Sequence, residues 1–101
     1  MKMVFVVYTE LHGFTSPLME LLGRLGIDFY TRWEHAKGKG HGTDAHLGTP
    51  SFPAENVVMM MAFRDDALLD QLIEGVARLN EGISRPDYHI RLFQMPLERM
   101  V

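Results

Sequence analysis

Two uninterrupted apolar runs constrain most strongly what this 101-residue chain can fold into. One extends from Met3 to Tyr8, and the other follows Asn56 through valines and methionines to Phe63. A strand with one face in water alternates polar and apolar side chains, whereas a strand covered on both faces does not. The two runs therefore predict two strands in the interior of one sheet.

Each run is followed by a segment with the spacing of an amphipathic helix. Thr15-Ser16-Pro17 predicts the start of the first helix, because hydroxyl side chains cap helices and proline suits the first turn. Asp65-Asp66 suits the start of the second, where acidic side chains meet the positive end of the helix dipole. Gly26 is expected to end the first helix, and Asn80 and Gly82 the second. The apolar stripes consist of Leu18, Leu21, Leu22 and Leu25, and of Leu68, Leu69, Leu72, Val76 and Leu79.

Two further strands are predicted over residues 27–34, which alternate in polarity, and over residues 88–95. The resulting order is β-α-β-β-α-β in a single domain of residues 1–101. Its simplest arrangement is an α+β, ferredoxin-like fold, in which two helices cover one face of a four-stranded antiparallel sheet. Right-handed crossovers place the first and third strands in the centre, which agrees with their apolar composition.

Two helices cover only one face of such a sheet, so apolar side chains of both central strands are expected on the other face. Soluble monomers rarely expose a contiguous apolar patch of more than a few hundred Å². We therefore expect a homo-oligomer packed through the open sheet face. The alternative is that the C-terminal residues Leu97–Val101 cover part of it.

Composition excludes several classes of function. The chain has no cysteine, so it has neither a disulfide framework nor a thiolate metal site. Its net charge of -3 gives no reason to expect a nucleic-acid partner. No apolar run is long enough for a membrane span or a signal peptide, so a cytoplasmic location is expected. Ser16, Ser51 and Ser84 occur in no nucleophile motif, and we expect no enzymatic activity.

Phe29 and Trp33 are expected in the core.

The segment WEHAKGKGHGTDAHLGTPSFP, residues 33–53, has a different composition from the rest of the chain. It contains four of the nine glycines and three of the five histidines. A connection of this length between paired strands is usually functional or disordered, and few of its residues are expected to pack. The backbone amides of Gly38, Gly40 and Gly42, with the charges of Lys37 and Lys39, are suited to an anion. The segment matches neither a P-loop nor a dinucleotide fingerprint.

The histidines allow a second interpretation. His35, His41 and His46 supply imidazole nitrogens of the kind that zinc, nickel or copper binds. Their spacing matches no compact metal motif, so a solvated loop with incidental histidines explains the same residues. The spacing alone does not decide between the two.

The order of elements and the stretch GIDFYTRWEHAKGKGHG…HLGT…FPAENVVMMM resemble the PII-like signalling family. Gly26-Ile27, the glycine-rich run 38–42 and Gly48 match that family in order and approximate spacing. The resemblance implies a non-enzymatic homotrimer that binds a small effector, typically an adenine nucleotide, between subunits. It also implies that residues 37–53 form a T-loop, which signals to partners such as a membrane transporter or an efflux system. Effector contacts are then expected from Lys37, Gly38, Lys39, Gly40 and Gly42, with Arg85 of a neighbouring subunit.

The sequence departs from the nitrogen-sensing PII pattern at residues 81–87, which are shorter than the Gly/Lys-rich phosphate loop and contain one cation, Arg85. The resemblance therefore indicates a divergent member whose effector differs from ATP. Two alternatives remain. One is a metal-binding or metal-tolerance protein similar to the CutA type, with a divalent ion on the loop histidines. The other is a small dimeric enzyme of the same fold, such as a monooxygenase.

Overall fold

The structure is a computed structural model that describes residues 1–10, 16–51 and 54–101. The elements follow the predicted β-α-β-β-α-β order. They are β1 (Lys2–Glu10), α1 (Pro17–Leu25), β2 (Thr31–Ala36), β3 (Glu55–Phe63), α2 (Asp66–Glu81) and β4 (Arg91–Pro96), with a 3₁₀ turn at Pro86–Tyr88 before β4.

The four strands form one antiparallel sheet in the order β2-β3-β1-β4. The two apolar runs are therefore the central strands, as predicted. β1 and β3 pair along their whole length, so that Phe5 lies opposite Met60 and Val7 opposite Val58. The predicted ferredoxin-like fold is confirmed.

Alternate side chains of β1 and β3 point towards the helices and form the core. Val4, Val6 and Met59 are completely buried there. Leu18 and Leu22 of α1 and Leu69, Leu72 and Val76 of α2 pack in the same cluster. About half of the apolar residues in the central strands are thus buried in one continuous core between the sheet and both helices.

The other half of these residues lie on the open face of the sheet. Across β1, Phe5 lies between Met60 of β3 and Phe93 of β4. Phe93 is 51% exposed, and Trp33 of β2, which pairs with Val58, is 47% exposed. This open sheet face, which also includes Met3, Val7, Ala62 and Met95, carries the apolar side chains expected from the sequence.

The helix termini form for the predicted reasons. The Ser16 hydroxyl accepts a hydrogen bond from the Met19 amide, and Asp65 accepts one from the Leu68 amide. Gly26 adopts a left-handed conformation with φ of 72°, which glycine adopts without steric cost. Thr15 lies outside the described residues.

Three sequence-based expectations differ from the structure. β2 begins at Thr31 and not at Ile27, because the Ile27 amide bonds to the carbonyl of Leu22 and its side chain is buried after the helix. β4 begins at Arg91, because the 3₁₀ turn covers Pro86–Tyr88 and the next two amides, of His89 and Ile90, bond outside the sheet to Pro86 O and Asn80 Oδ1. Phe29 and Trp33 are not core residues but are 38% and 47% exposed. Phe29 precedes β2, and Trp33 lies on the face of the edge strand β2 that the helices do not cover.

Within the described ranges, no helix is both long enough and apolar enough to cross a membrane.

Candidate functional site

The segment between β2 and β3 folds back onto the end of the sheet. Gly38 and His46 form an antiparallel bridge, in which the Gly38 amide donates to His46 O at 2.9 Å and the His46 amide donates to Gly38 O at 2.6 Å. The Gly48 amide donates to Ala54 O at 3.2 Å. Residues 37–48 therefore form a closed structure, which we call the docked loop.

His46 anchors the docked loop to the sheet. Its side chain is buried, and its Nδ1 lies 2.8 Å from Asn56 Oδ1 and 3.1 Å from Thr9 Oγ1. Its ring packs against Tyr88 with 5.9 Å between the ring centroids. The expectation that few residues of this segment are packed is therefore wrong for His46, because β1, β3 and the 3₁₀ turn together form a polar pocket for its imidazole.

The docked loop packs so closely against neighbouring side chains that two of its positions require glycine. A Cβ atom at Gly38 would lie 2.6 Å from Asn56 Nδ2. A Cβ atom at Gly40 would lie 2.8 Å from Thr43 Oγ1 and 3.2 Å from the guanidinium of Arg91. Their amides are also occupied, since Gly38 N–H bonds to His46 O and Gly40 N–H to Thr43 Oγ1 at 3.0 Å. These two amides thus hold the loop together and are not open to an anion, contrary to the sequence-based expectation.

A cavity of about 290 Å³ lies between the docked loop and the end of the sheet, and we call it the loop cavity. Lys37, Gly38, Lys39 and Gly40 line it, so four of the six predicted effector residues come together there. Gly42 and Arg85 are outside its lining. The remaining polar residues of the lining are Tyr8, Thr9, Thr43, Asp44, His46, Asn56, Asp87, His89 and Arg91.

Arg85 is held by other groups of the same chain. Its Nη2 lies 3.1 Å from Asp44 Oδ2 and 3.1 Å from Asp87 Oδ2, and its guanidinium lies 4.8 Å from the centre of the Tyr88 ring. Desolvation acts to raise the pKa of Asp87, but a backbone hydrogen bond and the Arg85 charge outweigh it and hold that pKa below its usual value. Arg85 therefore ties Asp44 of the docked loop to the 3₁₀ turn.

Two cations of the cavity lining, Arg91 and Lys37, have free hydrogen-bonding capacity. Neither makes a hydrogen bond or ion pair with the described part of the chain, whereas Lys39 Nζ donates to Gly40 O at 3.2 Å. Arg91 lies opposite Val7 at the start of β4. Sequence reasoning did not assign it to the site, although an arginine within an apolar strand was a signal that a polar partner or ligand lies nearby.

His46, which belongs to the lining of the cavity, also has an unmatched atom. Among the buried side-chain atoms of the described residues, its Nε2 lacks a hydrogen-bond partner. Asp87 Oδ2 lies 3.7 Å from this nitrogen, beyond normal hydrogen-bonding distance. The Asp87 side chain is only 9% exposed, so an acceptor carboxylate lies beside the unmatched nitrogen.

The three loop histidines do not form one cluster. His35 is exposed and pairs through Nδ1 with Glu55 Oε2 at 3.0 Å, next to an irregularity in the β2–β3 pairing. His41 is exposed on the loop, and His46 is buried beneath it. Among residues 1–10, 16–51 and 54–101, no group of three or more His, Cys, Asp or Glu side chains is arranged to hold a metal ion. His12 lies outside the described residues, and His89 is half-buried with Nε2 2.8 Å from Ile83 O.

This chain is similar to known proteins in its structure, and not in the comparisons of its sequence. No protein-family model matches the chain, and no curated protein sequence matches it significantly. The solved structure of CPII from Thiomonas intermedia K12 bound to ADP and bicarbonate is similar with a TM-score of 0.65 and 20% identity, over 97% of this chain and 88% of that one. A second structure of CPII, described as a nitrogen regulatory PII-like protein bound to ADP, AMP and bicarbonate, gives a TM-score of 0.63 and 19% identity over 99% and 94% of the two chains.

The similarity to these two structures covers nearly the whole chain. At 19–20% identity it establishes the fold and leaves the ligand to be argued from this chain's own residues. The resemblance inferred from the sequence is confirmed at the level of the fold: this chain has the fold of the PII-like proteins.

Proposed function

We propose that this chain is a non-enzymatic regulatory protein of the PII-like type, which binds a small anionic effector in the loop cavity. The observation that carries the proposal is the pair of cations, Arg91 and Lys37, that line the cavity without an acidic partner among the described residues. Charged donors that lack a protein partner are well suited to an anionic ligand group. Lys39, whose ammonium bonds to the backbone carbonyl of Gly40, adds a third donor.

The assembly that we propose is a homotrimer. The open sheet face places Phe5, Met60 and Phe93 side by side, with the exposed Trp33 near them. Burial of such a surface against other copies is favourable by about 25 cal/mol per Å² of apolar area. In this assembly the loop cavity lies at a boundary between subunits, and a neighbouring chain contributes to effector binding.

The effector that we propose is an adenine nucleotide, bicarbonate or both. The similar CPII structures contain ADP with bicarbonate, and ADP and AMP with bicarbonate. Occupancy of the cavity would be signalled by the 37–53 segment, because the docked loop forms one wall of the cavity. Release of the Arg85–Asp44 pair would free the loop to contact a partner such as a membrane transporter or efflux system.

Calorimetry tests the anion site directly. We expect wild-type protein to bind ADP, AMP or bicarbonate at a pH of about 8, and Arg91→Ala and Lys37→Ala each to weaken binding by roughly tenfold or more. Arg24→Ala is the matched control, because Arg24 is exposed in the last turn of α1, on an element that does not line the cavity. An absence of binding heat for all three ligands would overturn the proposal, as would equal effects of the cavity and control variants.

A metal-binding role of the CutA type is the second candidate. It rests on His46 Nε2, which is buried and unmatched, and on Asp87 Oδ2 at 3.7 Å from it. Structural zinc sites normally have four protein ligands, and the described residues bring only these two candidate atoms together. Micromolar zinc binding that is lost in His46→Asn, without any response to the anions, would favour this candidate over the anion site.

A further inference from the structure

The hydrogen bonds around His46 determine which of its ring nitrogens carries the proton. Nδ1 lies 2.8 Å from Asn56 Oδ1, an atom that also accepts a hydrogen bond from the Thr9 hydroxyl at 3.3 Å. An amide oxygen can only accept, so with Asn56 Oδ1 as its partner the proton is assigned to Nδ1. In the neutral imidazole, Nε2 therefore has a free lone pair and no proton.

This lone pair is an acceptor without a donor. The imidazole is more than nine-tenths buried, and Nε2 has no hydrogen-bond partner in the described ranges of the chain. The nearest carboxylate oxygen, Asp87 Oδ2 at 3.7 Å, is another acceptor. Asp87 Oδ2 already accepts a hydrogen bond from Arg85 Nη2 at 3.1 Å, so Nε2 is the unmatched acceptor of the two. A buried acceptor is costly to leave unmatched, and in the lining of the cavity it calls for a ligand that donates a hydrogen bond.

The same cavity also carries the free charges of Arg91 and Lys37. A ligand that satisfies all of these groups has a negative charge and a hydrogen-bond donor in one small molecule. We infer that His46 Nε2, with Asp87 beside it, selects effectors whose anion carries a hydroxyl group. This inference rests on the proposed anion site and adds a residue that sets its specificity.

Two pairs of ligands with similar size and charge differ in whether they carry a hydroxyl group. Bicarbonate carries a hydroxyl and acetate does not, and AMP carries two ribose hydroxyls that 2′,3′-dideoxy-AMP lacks. A site built to bond a ligand hydroxyl disfavours the analogue without it, because the buried acceptor then remains unmatched. The two pairs of ligands distinguish a bicarbonate hydroxyl from a ribose hydroxyl as the group that His46 accepts.

The test compares these four ligands by calorimetry at a pH of about 8. In the wild type, we expect the hydroxyl-bearing member of at least one pair to bind at least about fivefold more tightly. His46→Asn keeps a donor near the position of Nδ1 and removes Nε2, so it should abolish that ratio. His46→Gln, whose amide oxygen reaches towards the position of Nε2, should restore part of it. His41→Asn, at an exposed histidine of the same loop, should leave the ratio unchanged.

The outcomes distinguish this inference from the proposed function. Binding of the anions with a ratio near one in the wild type overturns the role of His46 and leaves the anion site in place, and this measurement needs no variant to fold. Retention of the full ratio in a folded His46→Asn protein also overturns it. If none of the four ligands binds, the proposed function is overturned as well. If the wild type binds zinc under the same conditions and His46→Asn does not, the nitrogen is assigned to a metal.

Discussion

Tyr8 lies where the core meets a chain of polar contacts at the end of β1. Its side chain is 3% exposed, and its hydroxyl accepts a hydrogen bond from Arg32 Nη1 at 2.6 Å. Arg32 Nη2 lies 2.7 Å from Glu10 Oε2, so an arginine of β2 reaches over β3 to two residues of β1. Burial, opposed by the Arg32 charge and assisted by Glu10, raises the pKa of Tyr8 to about 12.

We expect this shift to make the fold less stable in strong alkali. Above the ordinary tyrosine pKa of 10.0, the unfolded chain loses the Tyr8 proton while the folded chain keeps it up to about pH 12. The folded state then binds more protons, so stability falls as pH rises through this window, by roughly 2–3 kcal/mol. Urea unfolding at both ends of the window measures the loss.

Tyr8→Phe has no phenol to titrate, so its loss of stability across the window should be smaller than that of the wild type by about the same roughly 2–3 kcal/mol. Tyr30→Phe is the matched control, because the Tyr30 side chain is 42% exposed. An identical alkaline loss in wild type and Tyr8→Phe would contradict the assignment.

At the scale of elements, the two helices approach closely at one glycine. Gly75 of α2 lies against Leu21 of α1, such that a Cβ atom there would come within 2.7 Å of Leu21 Cδ1. Leu21 is 5% exposed and belongs to the core, so it has little room to move. Gly23 lies in α1 on the exposed side, and nothing lies within 4 Å of a Cβ atom at that position.

The two helix glycines should respond in opposite directions to alanine. Gly23→Ala should raise the free energy of unfolding by about 0.5–1 kcal/mol, because alanine favours the helix and meets no neighbour. Gly75→Ala gains the same propensity, but it displaces Leu21 and should be less stable than wild type by about 1–3 kcal/mol. Chemical denaturation of both variants checks the order, and a Gly75→Ala protein as stable as Gly23→Ala would show that the helix contact is loosely packed.

At the scale of the whole molecule, two adjacent methionines of β3 serve opposite faces of the sheet. Met59 is fully buried beneath the helices, whereas Met60 lies between Thr31 and Phe5 on the open sheet face. The proposed trimer gives these neighbours different functions. One maintains the subunit core, and the other maintains the contact between subunits.

A single aspartate at each methionine separates the two functions. Met59→Asp places a charge in the core and should unfold the subunit, with a cost of several kcal/mol. Met60→Asp should leave the subunit folded and dissociate the assembly, because a charge opposes burial of the open face. Circular dichroism reports folding, and light scattering reports mass. A wild-type protein that is monomeric at micromolar concentration would contradict the proposed assembly.

The sequence by itself determined the strand order, the central pair, the helix caps and the apolar open face. These features depend on local patterns, because an unbroken apolar run such as 57–63 fits a strand covered on both faces and Ser16-Pro17 fits a helix start. Within the candidate site, the same reasoning found Lys37 to Gly40, because glycine and lysine composition is also local.

Only the tertiary structure decided how the site is arranged, because its contacts join residues that are distant in sequence. His46 meets Thr9 across 37 positions, and Arg85 meets Asp44 across 41. No local pattern distinguishes the buried His46 from the exposed His41, or the paired Arg85 from Arg91, which has no partner in the described part of the chain. Burial and pairing depend on which surfaces the fold brings together, so the anchor of the loop and the free cation of the cavity emerge only when the strands and the docked loop are in place.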